Sequence, residues 1–290
     1  MSVIDLSKLP APAVIEEVSF GGILQAMLDD LHERDPELDI TETDPAYRVL
    51  EVAAYREMVR RQEHNERIRK LLAAYAEGAE LDHIGVTYYA TERLLLDEGD
   101  PDADPPVPPT YESDEDYLRR MLLAPDGWST AGPRDGYVYH ALSADPDVKD
   151  ATAITLAPTE VTITVLSRNG DGSASQALLD AVEAATSAEA VRPQTDLVHV
   201  QSATIKPYEI VAELTVDPGP DPEVVRAQAE ARALAFVEQH HRLGVGVVRD
   251  AALATLYVEG VRRVSLALAA DIECDDTEAA WCSNVEVTLA

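Results

Sequence analysis

The chain has 290 residues, 46% of them hydrophobic, with 54 acidic against 23 basic side chains and a formal net charge of −31. That apolar share argues against wholesale disorder and the length allows two or three compact domains, while so negative a field repels a phosphate backbone and disfavours nucleic-acid binding. The two cysteines, Cys274 and Cys282, make no Cys-x-x-Cys pair, and no stretch approaches the roughly 18 apolar residues that cross a bilayer. With only 2 Trp and 2 Phe, the expected cores are small and aliphatic, which suits several modest domains. The opening residues lack a basic region followed by an apolar run, so a cytoplasmic place of synthesis is expected.

Over residues 12–34 apolar side chains recur at helical spacing (Ile15, Val18, Ile23, Met27, Leu31), with Gly21 and Gly22 as a weak point, and one broken helix is expected. Residues 45–77 give a stronger signal. Asp44 is a good N-cap, Pro45 fits the first helical position, and Gly78 fits the position just past the end. The expected helix has roughly 33 residues and spans about 50 Å. One stripe along it reads Tyr47, Leu50, Ala54, Met58, Arg61, Asn65, Ile68, Leu72 and Tyr75, a mostly alternating three-four spacing with polar residues at its centre. Such a seam suits a helical bundle in which Arg61 and Asn65 fix the register of a partner helix; the alternative is a seam that rotates and leaves both solvated. No second long helix is evident nearby, so the partner is expected from another chain.

Residues 97–116 hold five prolines and a dense run of acids, and read as an extended loop or linker. Two helices are expected next, over 116–123 and 134–144, on either side of a turn-rich stretch. Beyond Asp147 the period changes to two. Residues 160–165 read as a strand, Asn169-Gly170-Asp171-Gly172 as a turn and 175–185 as a helix. Strands are expected over 197–205, 208–216, 260–268 and 285–289, and helices over 220–241 and 250–258, the first of these burying Val224, Ala227, Ala231, Leu234 and Val237. The order predicts an α+β chain: an N-terminal long-helix region (1–96), an acidic Pro-rich linker (97–115), and two small α+β domains with mixed or antiparallel sheets (116–206 and 207–290).

The search for chemistry gives near misses. Gly127-Trp128-Ser129-Thr130-Ala131 lacks the second glycine of a nucleophile elbow and follows a charged helix and Pro125 instead of a strand, so Ser129 reads as a turn or capping residue. His240 and His241 end a helix without a third ligand at metal-site spacing, a position that the helix dipole alone favours for histidine. Cys274 and Cys282 read as packed thiols, and no carboxylate pair stands out among the acids. The glycine-rich turn at 169–172 has neither the later acid of a calcium loop nor the Gly-Lys-Ser/Thr of a phosphate loop. No catalytic residue, metal or cofactor is expected.

Several phrases, in order, resemble the baseplate J family of contractile-tailed phages. These are Asp5-Leu6-Ser7-Lys8-Leu9-Pro10-Ala11-Pro12 with Glu16-Glu17; Ala54-Tyr55-Arg56-Glu57-Met58, Arg61-Gln62 and Asn65-Glu66; and Gly78-Ala79-Glu80-Leu81-Asp82. Leu123-Ala124-Pro125, Ala131-Gly132-Pro133 and Tyr139-His140-Ala141-Leu142-Ser143 follow, then Leu166 to Gly172, Val191 to Asp196, Pro218-Gly219-Pro220, Gln239 to Gly244 and Val258-Glu259-Gly260-Val261. The resemblance implies a wedge protein of the tail baseplate. Two copies join one second wedge protein through their N-terminal helices, C-terminal domains pair between neighbouring wedges to close a ring round the hub, and a sheath-initiator protein docks on the wedge. Dilation of that ring would release sheath contraction. On this chain the bundle falls on residues 45–77, above all Tyr55, Met58, Ile68 and Leu72, and the ring contacts fall after Pro207. The virion tail is the implied location, after assembly in host cytoplasm. A tail-associated hydrolase and a monomeric acidic adaptor are the rival readings.

Overall fold

A computed structural model describes residues 6, 9, 12–38, 40–219 and 221–290. Most of the opening phrase Asp5 to Pro12, and Pro220 at the expected start of the long C-terminal helix, lie outside the described residues. The chain divides into two units, residues 2–93 with 114–118, and residues 94–113 with 119–290. The α+β expectation holds, with eight helices and three small sheets among the described residues.

In the first unit, α1 (Phe20–Arg34) starts where Ser19 accepts a hydrogen bond from the Gly22 N–H at 3.3 Å. The helix therefore begins after the expected first turns, and residues 12–19 are not helical. Helix α2 (Pro45–Lys70) has 26 residues and packs against α1. It is shorter than expected. Arg67, Arg69 and Lys70 crowd its last turn, where cations favour a helix end, and residues 71–76 continue as turns. Gly78, expected just past that helix, instead opens α3 (Gly78–Tyr89), whose buried Leu81 and Gly85 lie one helical turn apart. Tyr117 closes this unit: its hydroxyl donates to the Thr91 carbonyl at 2.7 Å, and the Arg93 guanidinium lies 4.7 Å from its ring centre.

In the second unit, the segment expected as an extended loop or linker is the loop of a short hairpin. Strand β1 (Leu95–Asp97) pairs antiparallel with β2 (Thr110–Tyr111), and Asp100 bridges Val107. Helix α4 (Asp114–Gly127) follows, then α5 (Arg134–Ala144), which has the expected bounds. The middle sheet has the order β3-β4-β5, with β3 (Val148–Ala157) antiparallel to β4 (Glu160–Ser167) and β4 parallel to β5 (Leu197–Ser202). Helix α6 (Gln176–Thr186) makes the crossover between the parallel pair, capped by Ser175. The third sheet has the order β7-β6-β8: β6 (Thr204–Val216) runs antiparallel to β7 (Val261–Leu266) and parallel to β8 (Glu278–Leu289).

Helices α7 (Pro222–His240) and α8 (Arg249–Leu256) cover this third sheet, with Ile210, Leu214, Val247 and Leu256 at the centre of its core. The buried face of α7 is Val225, Ala229, Ala233 and Phe236. The expected face was out of phase by about one residue: Val224 and Leu234 are 65% and 53% exposed, and of that set Val237 alone packs against the core. Phe236 decides the phase, because its ring is the largest apolar surface on the helix and must face the sheet.

Candidate interaction surface

The stripe on α2 is partly covered by its own chain. Ala54 and Asn65 are buried, Tyr47, Leu50, Met58 and Ile68 are half-buried, and Tyr55 and Arg61 are exposed. Leu72 and Tyr75 lie past the helix end, in the turns before α3. At the polar centre, Asn65 Nδ2 donates to the Glu16 carbonyl at 2.8 Å while the Glu16 N–H donates to Asn65 Oδ1 at 3.1 Å. Arg61 reaches the Glu16 carboxylate at 3.4 Å and Glu57 at 2.9 Å. Asn65 thus fixes the segment before α1, an occupant from the same chain, where a partner helix or solvent was expected.

A second face of α2 joins Tyr55, expected in the bundle, to Val49 and Val52, which the spacing did not single out; the three are 57%, 68% and 60% exposed. Three-residue spacing is the signal, and the flanking Arg48 and Arg56 obscure it.

The second unit holds a polar seam between β3 and the chain that follows α7, also unforeseen. The Asp150 carboxylate, 1% exposed, pairs with Arg119 at 2.7 Å and accepts the Leu243 N–H at 3.0 Å. Lys149 binds Glu238 at 2.6 Å and lies 3.3 Å from His241 Nδ1. A lysine ammonium can only donate, so Nδ1 accepts and the neutral ring carries its proton on Nε2. Burial, then the Lys149 charge, holds the His241 pKa below its ordinary value, against the weaker pull of Asp171 and Glu238.

As pH falls below about 6.5, the unfolded chain takes up a proton that the folded ring resists, so the unfolded state gains and stability is lost. The urea midpoint is expected to drop between about pH 7.5 and about pH 5.5, and His241→Gln, which still accepts from Lys149, is expected to flatten that drop. An unchanged slope in the variant would rule the histidine out as its source.

The catalytic near misses find structural partners. Ser129 Oγ accepts the Ala131 N–H at 3.2 Å within a turn. His240 bonds the Phe236 carbonyl at 2.8 Å and stacks on that ring at 3.9 Å, in different surroundings from His241. Cys274 and Cys282 are free thiols, with burial raising the pKa of each. Residues 169–172 form the turn that closes β4, with Gly170 and Gly172 at positive φ. Among the described residues no group of three His, Cys, Asp or Glu side chains is arranged to hold a metal, and no helix is long and apolar enough to cross a membrane.

What these units present are helical faces and polar seams, the features of a modular α+β subunit. The sequence profile of the Baseplate J-like N-terminal domain matches residues 42–100, and that of the Baseplate J-like central domain matches residues 129–202. Baseplate protein J of Escherichia phage P2 is 42% identical over 296 aligned positions, which take in 99% of this chain and 98% of that protein. The chain belongs to the baseplate J family.

Proposed function

We propose that this protein is a structural subunit of a phage tail baseplate and carries out no catalytic step. The observation that carries the reading is the 42% identity to Baseplate protein J of Escherichia phage P2 along almost the whole of both chains. In the finer form of the proposal the protein is a wedge component: two copies join one second wedge protein, a sheath-initiator protein docks on the wedge, and contacts after Pro207 link neighbouring wedges into a ring whose dilation helps trigger sheath contraction. It acts in the virion tail after assembly in the host cytoplasm. The bundle side of α2, with Met58 and Ile68 half-buried in the single chain, supports this reading, because half-covered apolar positions gain further burial from an added helix.

Co-expression with the neighbouring wedge protein and native mass spectrometry test it. A complex of two copies with one partner is expected, lost when Met58→Asp and Leu72→Asp are combined. A monomer indifferent to both changes would favour the acidic adaptor, a reading to which the clamp of Asn65 on Glu16 lends its one point of support.

A further inference from the structure

Helix α2 is a basic element in an acidic chain. It carries seven of the 23 Lys and Arg residues against four acids, in a protein of net charge −31. Val49, Val52 and Tyr55 share the face turned away from Ala54, the side packed in its own unit, and Arg48 and Arg56 flank them with no ion pair among the described residues. An apolar patch rimmed by unneutralised guanidinium groups fits a partner that is apolar and acidic together. A nucleic acid does not meet that description, since the field of the whole chain opposes it.

The hairpin formed by β1 and β2 has the complementary make-up. From Leu95 to Tyr111 it holds five acids and no Lys or Arg. Asp100, Asp102 and Asp104 are exposed at its tip and make no ion pair among the described residues, and Val107 is 50% exposed beside them. Four prolines after Asp104 stiffen the return strand, so little freedom is lost on docking. Most of the hairpin also falls between the stretches matched by the two family profiles, residues 42–100 and 129–202.

We propose that the acidic hairpin of one copy of this chain docks on the Val49, Val52 and Tyr55 face of α2 of a second copy. Hairpin on helix is a heterologous contact, which repeats head to tail and closes into a ring when the rotation allows. Apolar burial supplies the affinity, and the opposite charges set orientation and encounter rate, because exposed ion pairs alone add little. The proposal draws on the baseplate reading only for the presence of several copies in one particle. It shares Tyr55 with the bundle reading but not Met58, Ile68 or Leu72, and its test turns on Arg48, Arg56 and the three aspartates, which that reading does not use, so the two can fail separately.

Sedimentation velocity on the full chain at low salt tests it with two charge-reversed chains. One carries Arg48→Glu with Arg56→Glu; the other carries Asp100→Lys, Asp102→Lys and Asp104→Lys. All five positions are exposed, and circular dichroism checks that folding is kept. Wild type is expected to self-associate and to dissociate as salt rises. Each reversed chain alone should associate about tenfold or more weakly, and an equimolar mixture of the two should recover association, because every reversed face then meets an opposite charge. A wild-type monomer at low salt, association indifferent to either set, or a mixture of folded chains that does not recover would overturn the proposal.

Discussion

Arg120→Ala is expected to destabilise the second unit by about 3–5 kcal/mol, because it strands a buried carboxylate. Arg120 and Glu112 have side chains 4% and 3% exposed and form a two-pronged pair, Nε to Oε1 at 3.0 Å and Nη2 to Oε2 at 2.7 Å. Glu112 follows β2 and also accepts the Leu94 N–H at 3.3 Å, so the pair ties the base of the hairpin to α4. With the guanidinium gone, the buried carboxylate keeps its backbone hydrogen bond but loses the cation that balances its charge. Replacing both partners, Arg120→Met with Glu112→Leu, removes both charges together and is expected to recover most of the loss. Urea unfolding of the two variants checks this; a single change costing less than about 1 kcal/mol would mean that water already reaches the pair.

The second large effect is expected in the other unit. At Gly85 an added methyl group would collide with the Tyr117 hydroxyl and would lie 2.6 Å from Tyr117 Cζ and 3.1 Å from the Thr91 carbonyl. Tyr117 is fully buried and its ring is rigid, so neither group can yield without breaking the bond to Thr91. Gly85→Ala is expected to cost about 3 kcal/mol, the upper range for overpacking. Tyr117→Phe alone should cost about 1 kcal/mol for the lost hydrogen bond, and the two changes together should cost less than their sum, because the phenyl ring presents no oxygen to the new methyl. Hydrogen exchange in α3 is the measurement, and wild-type protection in Gly85→Ala would refute the packing argument.

What was legible in the sequence follows from how each element is held. Helix α5, bounded by Pro133 and Asp145, and the turn at 169–172 carry local signals and were read with their true bounds or nearly so. Strand β3 was hidden because its first half, Val148 to Ala151, is buried on both faces and includes Lys149 and Asp150, charges tolerated through partners such as Glu238, His241, Arg119 and the Leu243 amide. Nothing local announces such partners. Strand β8 was read only from Val285, because Ser283 and Asn284 sit at the bulge opposite Tyr208 and Glu209 and interrupt the alternation. On α2 the spacing put Ala54 and Asn65 on one stripe, expected to face a partner helix, and both are buried within the chain itself. It did not reveal that Glu16, 49 residues away, supplies the polar partner of Asn65, since a backbone amide of a non-helical segment leaves no side-chain pattern.

The third sheet also sets an order of events during synthesis. Strand β6 is central, and its longest pairing is with β8, through contacts such as Ser283 Oγ to the Tyr208 carbonyl across 75 residues. Until residues 278–289 leave the ribosome, one whole edge of β6 has its N–H and C=O groups unpaired, whereas β3, β4 and β5 already have every strand they need. Closing so long a loop is entropically costly and slow relative to local hairpins. The nascent chain therefore carries a finished middle sheet beside an open strand that invites mispairing, and residues 278–289, once made, release it from that state.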